Sequence, residues 1–167
     1  MSVQINYKNI LVKKNLSNLV LFVDEKFNIS ILKNNISKSE YSYIADLIKT
    51  KDLNKKLVIF DISSKRKIIL VALKRNLTNT AAENLGAKFY DILKDFKLNE
   101  YQLNSDTVPN NIKNLVGHFL HGLMLKSYNF EKYKTKKNIK NISIFITGKN
   151  KPSSKEQIKF KAIEEGS

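Results

Sequence analysis

Six short apolar runs, at residues 3–7, 19–23, 57–62, 68–73, 101–103 and 142–147, are interleaved with four stretches whose apolar residues recur every three to four positions. Strand-like and helix-like periods in alternation predict an α/β fold, with helices packed on a largely parallel sheet. One pair of runs breaks the parallel rule. Runs 57–62 and 68–73 are separated only by Ser63, Ser64, Lys65, Arg66 and Lys67, too few residues for a parallel crossover, so they should form an antiparallel hairpin and make the sheet mixed.

The helices announce themselves by caps and stripes. Ser37 and Glu40 have capping-box spacing ahead of a helix through about Thr50, with Tyr41, Ile44, Leu47 and Ile48 on one face. Thr80 and Glu83 form a second such box, and Leu85, Phe89, Ile92, Leu93 and Phe96 continue the stripe behind it. From Ile112 the residues Leu115, Val116, Phe119, Leu120, Leu123 and Met124 follow at offsets 3, 4, 7, 8, 11 and 12, the spacing of one broad buried face. Pro109 suits the first turn of that helix. A fourth helix should open at Ser153 with Glu156 closing its box and run toward Glu165.

A chain of 167 residues buries about 70% of its unfolded surface, enough for one self-sufficient core. It contains no Cys, which excludes disulfide scaffolds, thiolate zinc sites and cysteine nucleophiles. No apolar run approaches the roughly 20 residues that span a bilayer, and the N-terminal residues lack a signal-peptide core, so the expected location is the cytoplasm.

The charge is lopsided: 30 Lys and Arg against 15 Asp and Glu, a net +15. A basic surface favours approach to phosphate and releases counterions. Only Arg66 and Arg75 are Arg, however, and Lys is the commoner surface filler. The Lys-rich stretch 132–140 reads as a solvated loop, and in a nucleic-acid-binding module its Lys132, Lys134, Lys136, Lys137 and Lys140 would be the contacts. Tyr128, Phe130 and Tyr133, interleaved with lysines, would either stack bases or fold back on the sheet.

Catalytic chemistry is sparse. His118 and His121 are the only histidines, three apart on the third helix, and read as surface or interface residues in preference to a metal pair. Neither GxGxxG nor GxxxxGK[ST] occurs among the five glycines. Gly117 and Gly122, inside the third helix, point to close helix-to-sheet packing, and Gly148 to a turn. Asp61, placed at the end of a buried-looking strand, reads as a turn or cap carboxylate.

The segment from Phe119 to Lys137 resembles the leucyl (cytosol) aminopeptidase family. There a helix with a Gly and small apolar residues leads into a Tyr-x-Phe-x-x-Tyr-Lys run before the last strand of the N-terminal domain. The matching positions are Gly122, Leu123, Tyr128, Phe130, Tyr133 and Lys134, with Asn129 where the family commonly has Arg. The resemblance extends back through Asn84 to Tyr90 and forward through Phe160 to Gly166. It implies a macro-domain-like fold over residues 1–150 and a linker helix, 151–167, toward a catalytic domain. Gly122, Tyr128, Phe130, Tyr133 and Lys134 would carry the family signature and contacts between domains.

The parent implied by this resemblance is a two-domain, metal-dependent exopeptidase that releases N-terminal residues from peptides, usually as a hexamer. Two divalent metals, Zn or Mn, would lie in its catalytic domain, whose Asn-Thr-Asp-Ala-Glu-Gly-Arg motif does not occur in this chain. No catalytic residue, metal ligand or cofactor-binding residue is therefore expected here, and the chain alone should be inactive. Its expected partners are the catalytic domain of the same polypeptide and further copies of itself. Macro domains proper bind ADP-ribose through glycine-rich loops, which this sequence lacks. An apolar patch is expected along the last helix, at Ile158, Phe160 and Ile163.

Overall fold

The computed structural model describes residues 3–7, 18–109, 111–112, 114–131 and 141–166. Six strands, β1 (Val3–Asn6), β2 (Asn18–Asp24), β3 (Leu57–Ser63), β4 (Arg66–Leu73), β5 (Glu100–Asn104) and β6 (Ile142–Thr147), form one sheet in the order β1-β6-β5-β2-β4-β3. Every neighbouring pair is parallel except β3 with β4. The two-residue turn at Ser64 and Lys65 leaves no chain for a crossover, so the hairpin read from the sequence is present.

Four helices flank the sheet: α1 (Lys38–Leu47), α2 (Asn79–Leu93), α3 (Leu115–Glu131) and α4 (Ser154–Glu165). At α1 the capping box forms as expected: Ser37 Oγ accepts from the Glu40 N–H, and the Glu40 carboxylate accepts from the Ser37 N–H. Ser153 caps α4 in the same position, accepting from the Glu156 N–H. Two starts differ from the sequence reading. The cap of α2 is Thr78, two residues before Thr80; it accepts from the Ala81 N–H, and the helix begins at Asn79. In α3 the first turn is Leu115, since Pro109 to Ile112 is spent on a turn closed by the Ile112 N–H on the Pro109 carbonyl.

Two apolar layers sandwich the sheet. On one face Phe22, Phe89, Phe119 and Tyr101 centre a core shared by β2, β5, α2 and α3, with Phe22 and Phe119 edge to face at 5.4 Å. On the other, Leu32 from a 3-10 turn (Ser30–Asn34) and Ile44 from α1 cover Leu21, Leu70 and Phe60. Residues 18–23 of β2 are all buried, as expected of a central parallel strand covered on both faces. Arg66, opening β4, reaches Glu40 on α1 with Nε 2.7 Å from Oε2. Burial pushes the Glu40 carboxyl up, but the Arg66 hydrogen bond, the Ser37 N–H and the guanidinium charge outweigh it and hold Glu40 below its ordinary range.

Glycine decides how α2 and α3 meet. A Cβ on Gly86 would lie 1.8 Å from the Phe119 carbonyl oxygen, and one on Gly122 would lie 1.9 Å from that of Glu83. The helices thus touch backbone to backbone. Close packing was expected of Gly117 and Gly122 against the sheet; both instead face helices, Gly122 against α2 and Gly117 against Phe160 of α4. Helix-to-helix approach is closer here because α2, α3 and α4 share one side of the sheet.

Candidate functional site

The titratable groups converge where α3, α4 and the edge strand β1 meet. His121 and Glu164 are both buried, with Nδ1 2.6 Å from Oε2 and side chains 7% and 8% exposed. The Phe160 ring stacks on His121 at 4.6 Å and 28°, and its edge meets His118 at 5.1 Å. One turn earlier on α3, His118 Nδ1 lies 2.7 Å from Glu83 of α2 in a more exposed pair. The i, i+3 spacing of the histidines and the i, i+4 spacing of Phe160 and Glu164 let the two helices present these groups to each other.

A groove of about 460 Å³ opens beside this seam, lined by Ile5 and Asn6 of β1 and Tyr7 just after it, by Leu120, His121, Met124 and Tyr128 of α3, and by Gln157, Phe160, Lys161 and Glu164 of α4. Three of its groups, Glu164, Tyr7 and Tyr128, titrate above their ordinary ranges. Burial raises the Glu164 carboxyl, and the hydrogen bond and charge of His121 pull it back only part of the way. The Tyr7 phenol is pushed up to about 12, first by burial and then by the Glu164 charge. Tyr128 is raised by burial and by Glu164, Glu165 and Glu131. Each shift favours the neutral form, so the groove tolerates little added negative charge.

A carboxylate on Nδ1 is the arrangement that orients a histidine for base or ligand work. Here Phe160 covers the imidazole face, and among the described residues no Ser, Thr or Cys lines the groove. Among the described residues no three His, Cys, Asp or Glu side chains come together around a metal-sized space. The arrangement fastens α4 to α3.

A second, smaller cavity of about 300 Å³ lies past the carboxyl ends of β5 and β6, between Pro109, Leu115 and Gly117 on one side and Lys149, Asn150 and Pro152 on the other. Open α/β sheets bind ligands in this position. Polar groups beside it bond within the fold. Ser105 Oγ donates to the Thr147 carbonyl at 2.6 Å and accepts from the Asn150 N–H, while the Asp106 carboxylate accepts from the Lys149 N–H at 2.8 Å. Gly148, at φ 91°, makes the turn that allows this, and a Cβ there would meet Ser105 Oγ at 2.5 Å.

The residues singled out in the sequence are distributed as follows. Tyr128 lines the groove, Gly122 touches α2, and Phe130 packs against Tyr90 at 5.8 Å with the Lys94 ammonium over its ring. The contacts of Gly122 and Phe130 are thus made inside this domain. Tyr133, Lys134, Lys132, Lys136, Lys137 and Lys140 lie outside the described residues. Asp61 sits within β3, where a bulge begins, not after the strand, and its carboxylate pairs with Lys67. Of the apolar patch expected on α4, Ile158 and Ile163 are 70% and 46% exposed, but Phe160 is buried between the two histidines. Glu164 was not singled out in the sequence; its signal is that it follows Phe160 by four residues on one helical face.

No family model and no curated protein matches this chain. Solved structures do. A tomato leucine aminopeptidase mutant aligns at TM-score 0.70 and 16% identity over 98% of this chain and 36% of that one. A cytosol aminopeptidase from Coxiella burnetii aligns at TM-score 0.57 and 10% identity over 98% of this chain and 31% of that one. The macrodomain of Thermus aquaticus DarG aligns at TM-score 0.53 and 9% identity, over 88% of this chain and 98% of its own. These identities show a shared fold: a macrodomain-like mixed α/β sheet of the kind found in the N-terminal region of leucine aminopeptidases. The chain spans about a third of the length of the two aminopeptidases. No helix among the described residues is long and apolar enough to cross a membrane.

Proposed function

We propose that this chain serves as the non-catalytic N-terminal domain of a metal-dependent leucyl-aminopeptidase-type peptidase of the cytoplasm. The observation that carries this reading is the near-complete overlay of the chain on one third of an aminopeptidase. The resemblance of the Phe119 to Lys137 segment supports it independently. In this reading the two divalent metals, Zn or Mn, belong to the catalytic domain, and this domain packs on that domain and takes part in assembly of a homo-oligomer such as a hexamer.

Two measurements test the proposal. The purified chain with added manganese or zinc is expected to leave leucine p-nitroanilide intact; metal-dependent turnover that survives repurification sinks the non-catalytic reading. Sequencing the gene past codon 167 should show the frame continuing into an Asn-Thr-Asp-Ala-Glu-Gly-Arg-like motif, and an immediate stop would remove the two-domain parent.

The net charge of +15 supports a second reading, a free-standing basic module that binds nucleic acid. Its affinity should fall steeply with salt, and the slope should shrink when Lys132, Lys134, Lys136, Lys137 and Lys140 are neutralised together. Binding indifferent to that change excludes those lysines as the contact.

A further inference from the structure

Among the described residues β3 ends the sheet, with β4 on its inner side. The Lys56 carbonyl accepts from the Ala72 N–H at 2.8 Å, which marks Lys56 and Ala72 as a bonded pair in the register that sets Leu57 opposite Val71. Bonded and unbonded pairs alternate along an antiparallel ladder, so Val58 and Phe60 bond inward and Leu57, Ile59 and Asp61 turn their N–H and C=O groups outward. The Tyr43 hydroxyl agrees: it donates to the Asp61 carbonyl at 3.2 Å from the open side. Among the described residues no hydrogen bond reaches the outward amides of Leu57, Ile59 and Asp61, or the carbonyls of Leu57 and Ile59.

Such an edge is a template for another strand, and the usual protections are weak here. Residues 57–61 contain neither Pro nor Lys, and the bulge comes only after Asp61. We propose that the outer edge of β3 is a self-pairing surface, on which a second copy of this chain adds antiparallel across a two-fold axis and joins the two sheets into one.

The charges select this occupant and this direction. Lys55 precedes the strand and Asp61 lies toward its end, so an antiparallel copy brings Lys55 of each chain toward the aspartate of the other. With Ile59 opposite Ile59, Leu57 faces Asp61 of the second copy, and Lys55, on the turn two residues before β3, is close enough for its long side chain to reach that aspartate, a contact the two-fold repeats. A parallel copy would set lysine beside lysine. The Asp61 side chain is 67% exposed, so it can accept a second cation while paired with Lys67. Val58 and Phe60 are already buried beneath α1, so the added strand would be held by backbone bonds and by the charge pairs. This inference does not depend on the aminopeptidase reading, because the edge is the same in a free-standing chain.

Sedimentation equilibrium of the full chain over a wide concentration range tests it, together with backbone hydrogen exchange. A concentration-dependent dimer is expected, in which the Ile59 and Asp61 amides exchange slowly, and they should exchange fast on dilution. Ile59→Pro removes an outward N–H without breaking a bond to β4 and should give a folded monomer by circular dichroism. Asp61→Lys, at an exposed side chain, should weaken the dimer at least about tenfold through like-charge opposition, and it reads the interface even if the proline variant does not fold. A chain that stays monomeric throughout, or a dimer that persists in both variants, overturns the proposal. So does a monomer whose Ile59 amide is already protected, which would mean that another segment of the same chain covers the edge.

Discussion

The two sides of α3 are held by different physics. Toward α2, Gly86 and Gly122 bring the helix backbones into direct contact, and the fit is chiefly one of shape, with only the partly exposed His118 and Glu83 pair adding charge. Toward α4, two histidines, a phenylalanine and a buried glutamate make a seam of rings and charge. A shape contact tolerates no added atom but is indifferent to pH. A charged seam accepts changes of volume better, yet its strength follows the protonation of its members. The same helix therefore has one rigid partner and one that solution conditions can loosen.

The largest expected effect breaks the rigid side. Gly122→Ala should cost about 3 kcal/mol, because its Cβ falls on the Glu83 backbone and the helices must part. Thermal unfolding should then shift down by about 10 °C; an unchanged midpoint would show that the helices are not in contact there. Next comes the buried pair. Removing the ring in His121→Ala leaves the Glu164 carboxyl without its partner and should cost about 2 kcal/mol, and chemical denaturation checks it. The double variant His121→Leu with Glu164→Leu should recover much of that loss, since no orphaned polar group remains.

The pH dependence sharpens the comparison further. Glu164 titrates above its ordinary range when folded, so its contribution is complete at low pH and is lost as pH rises through the raised value. The stability advantage of wild type over Glu164→Gln should accordingly shrink between acid and neutral pH, while the Gly122→Ala deficit stays constant. Tyr7 behaves alike on the alkaline side: its contribution is complete below pH 10 and is lost toward its folded value of about 12. Tyr7→Phe should flatten that alkaline decline in a pH series of melts. The smallest effect is at His118, whose partner Glu83 is 31% exposed; His118→Ala should cost less than about 1 kcal/mol in the same denaturation assay.

Local signals explain what was legible. Ser37 with Glu40 and Ser153 with Glu156 cap helices because four consecutive residues contain both halves of the device. The hairpin was legible because a short link admits one geometry. The α2 cap was misplaced because Thr78 and Thr80 offer similar chemistry and the exit path from β4 chooses between them. The seam was half legible: the histidine pair stood out, but its partner Glu164 is 43 residues from His121, and no local pattern joins them.

Sequence alone therefore determined the element types, the mixed sheet and the buried stripes, because hydrophobic period and turn length act over a few residues. The strand order, the backbone contact at Gly86 and Gly122, the burial of Phe160 between two histidines and the open edge of β3 were decided only in the folded chain. Each depends on which distant surfaces come within a few ångströms, and that is a property of packing, not of any one segment.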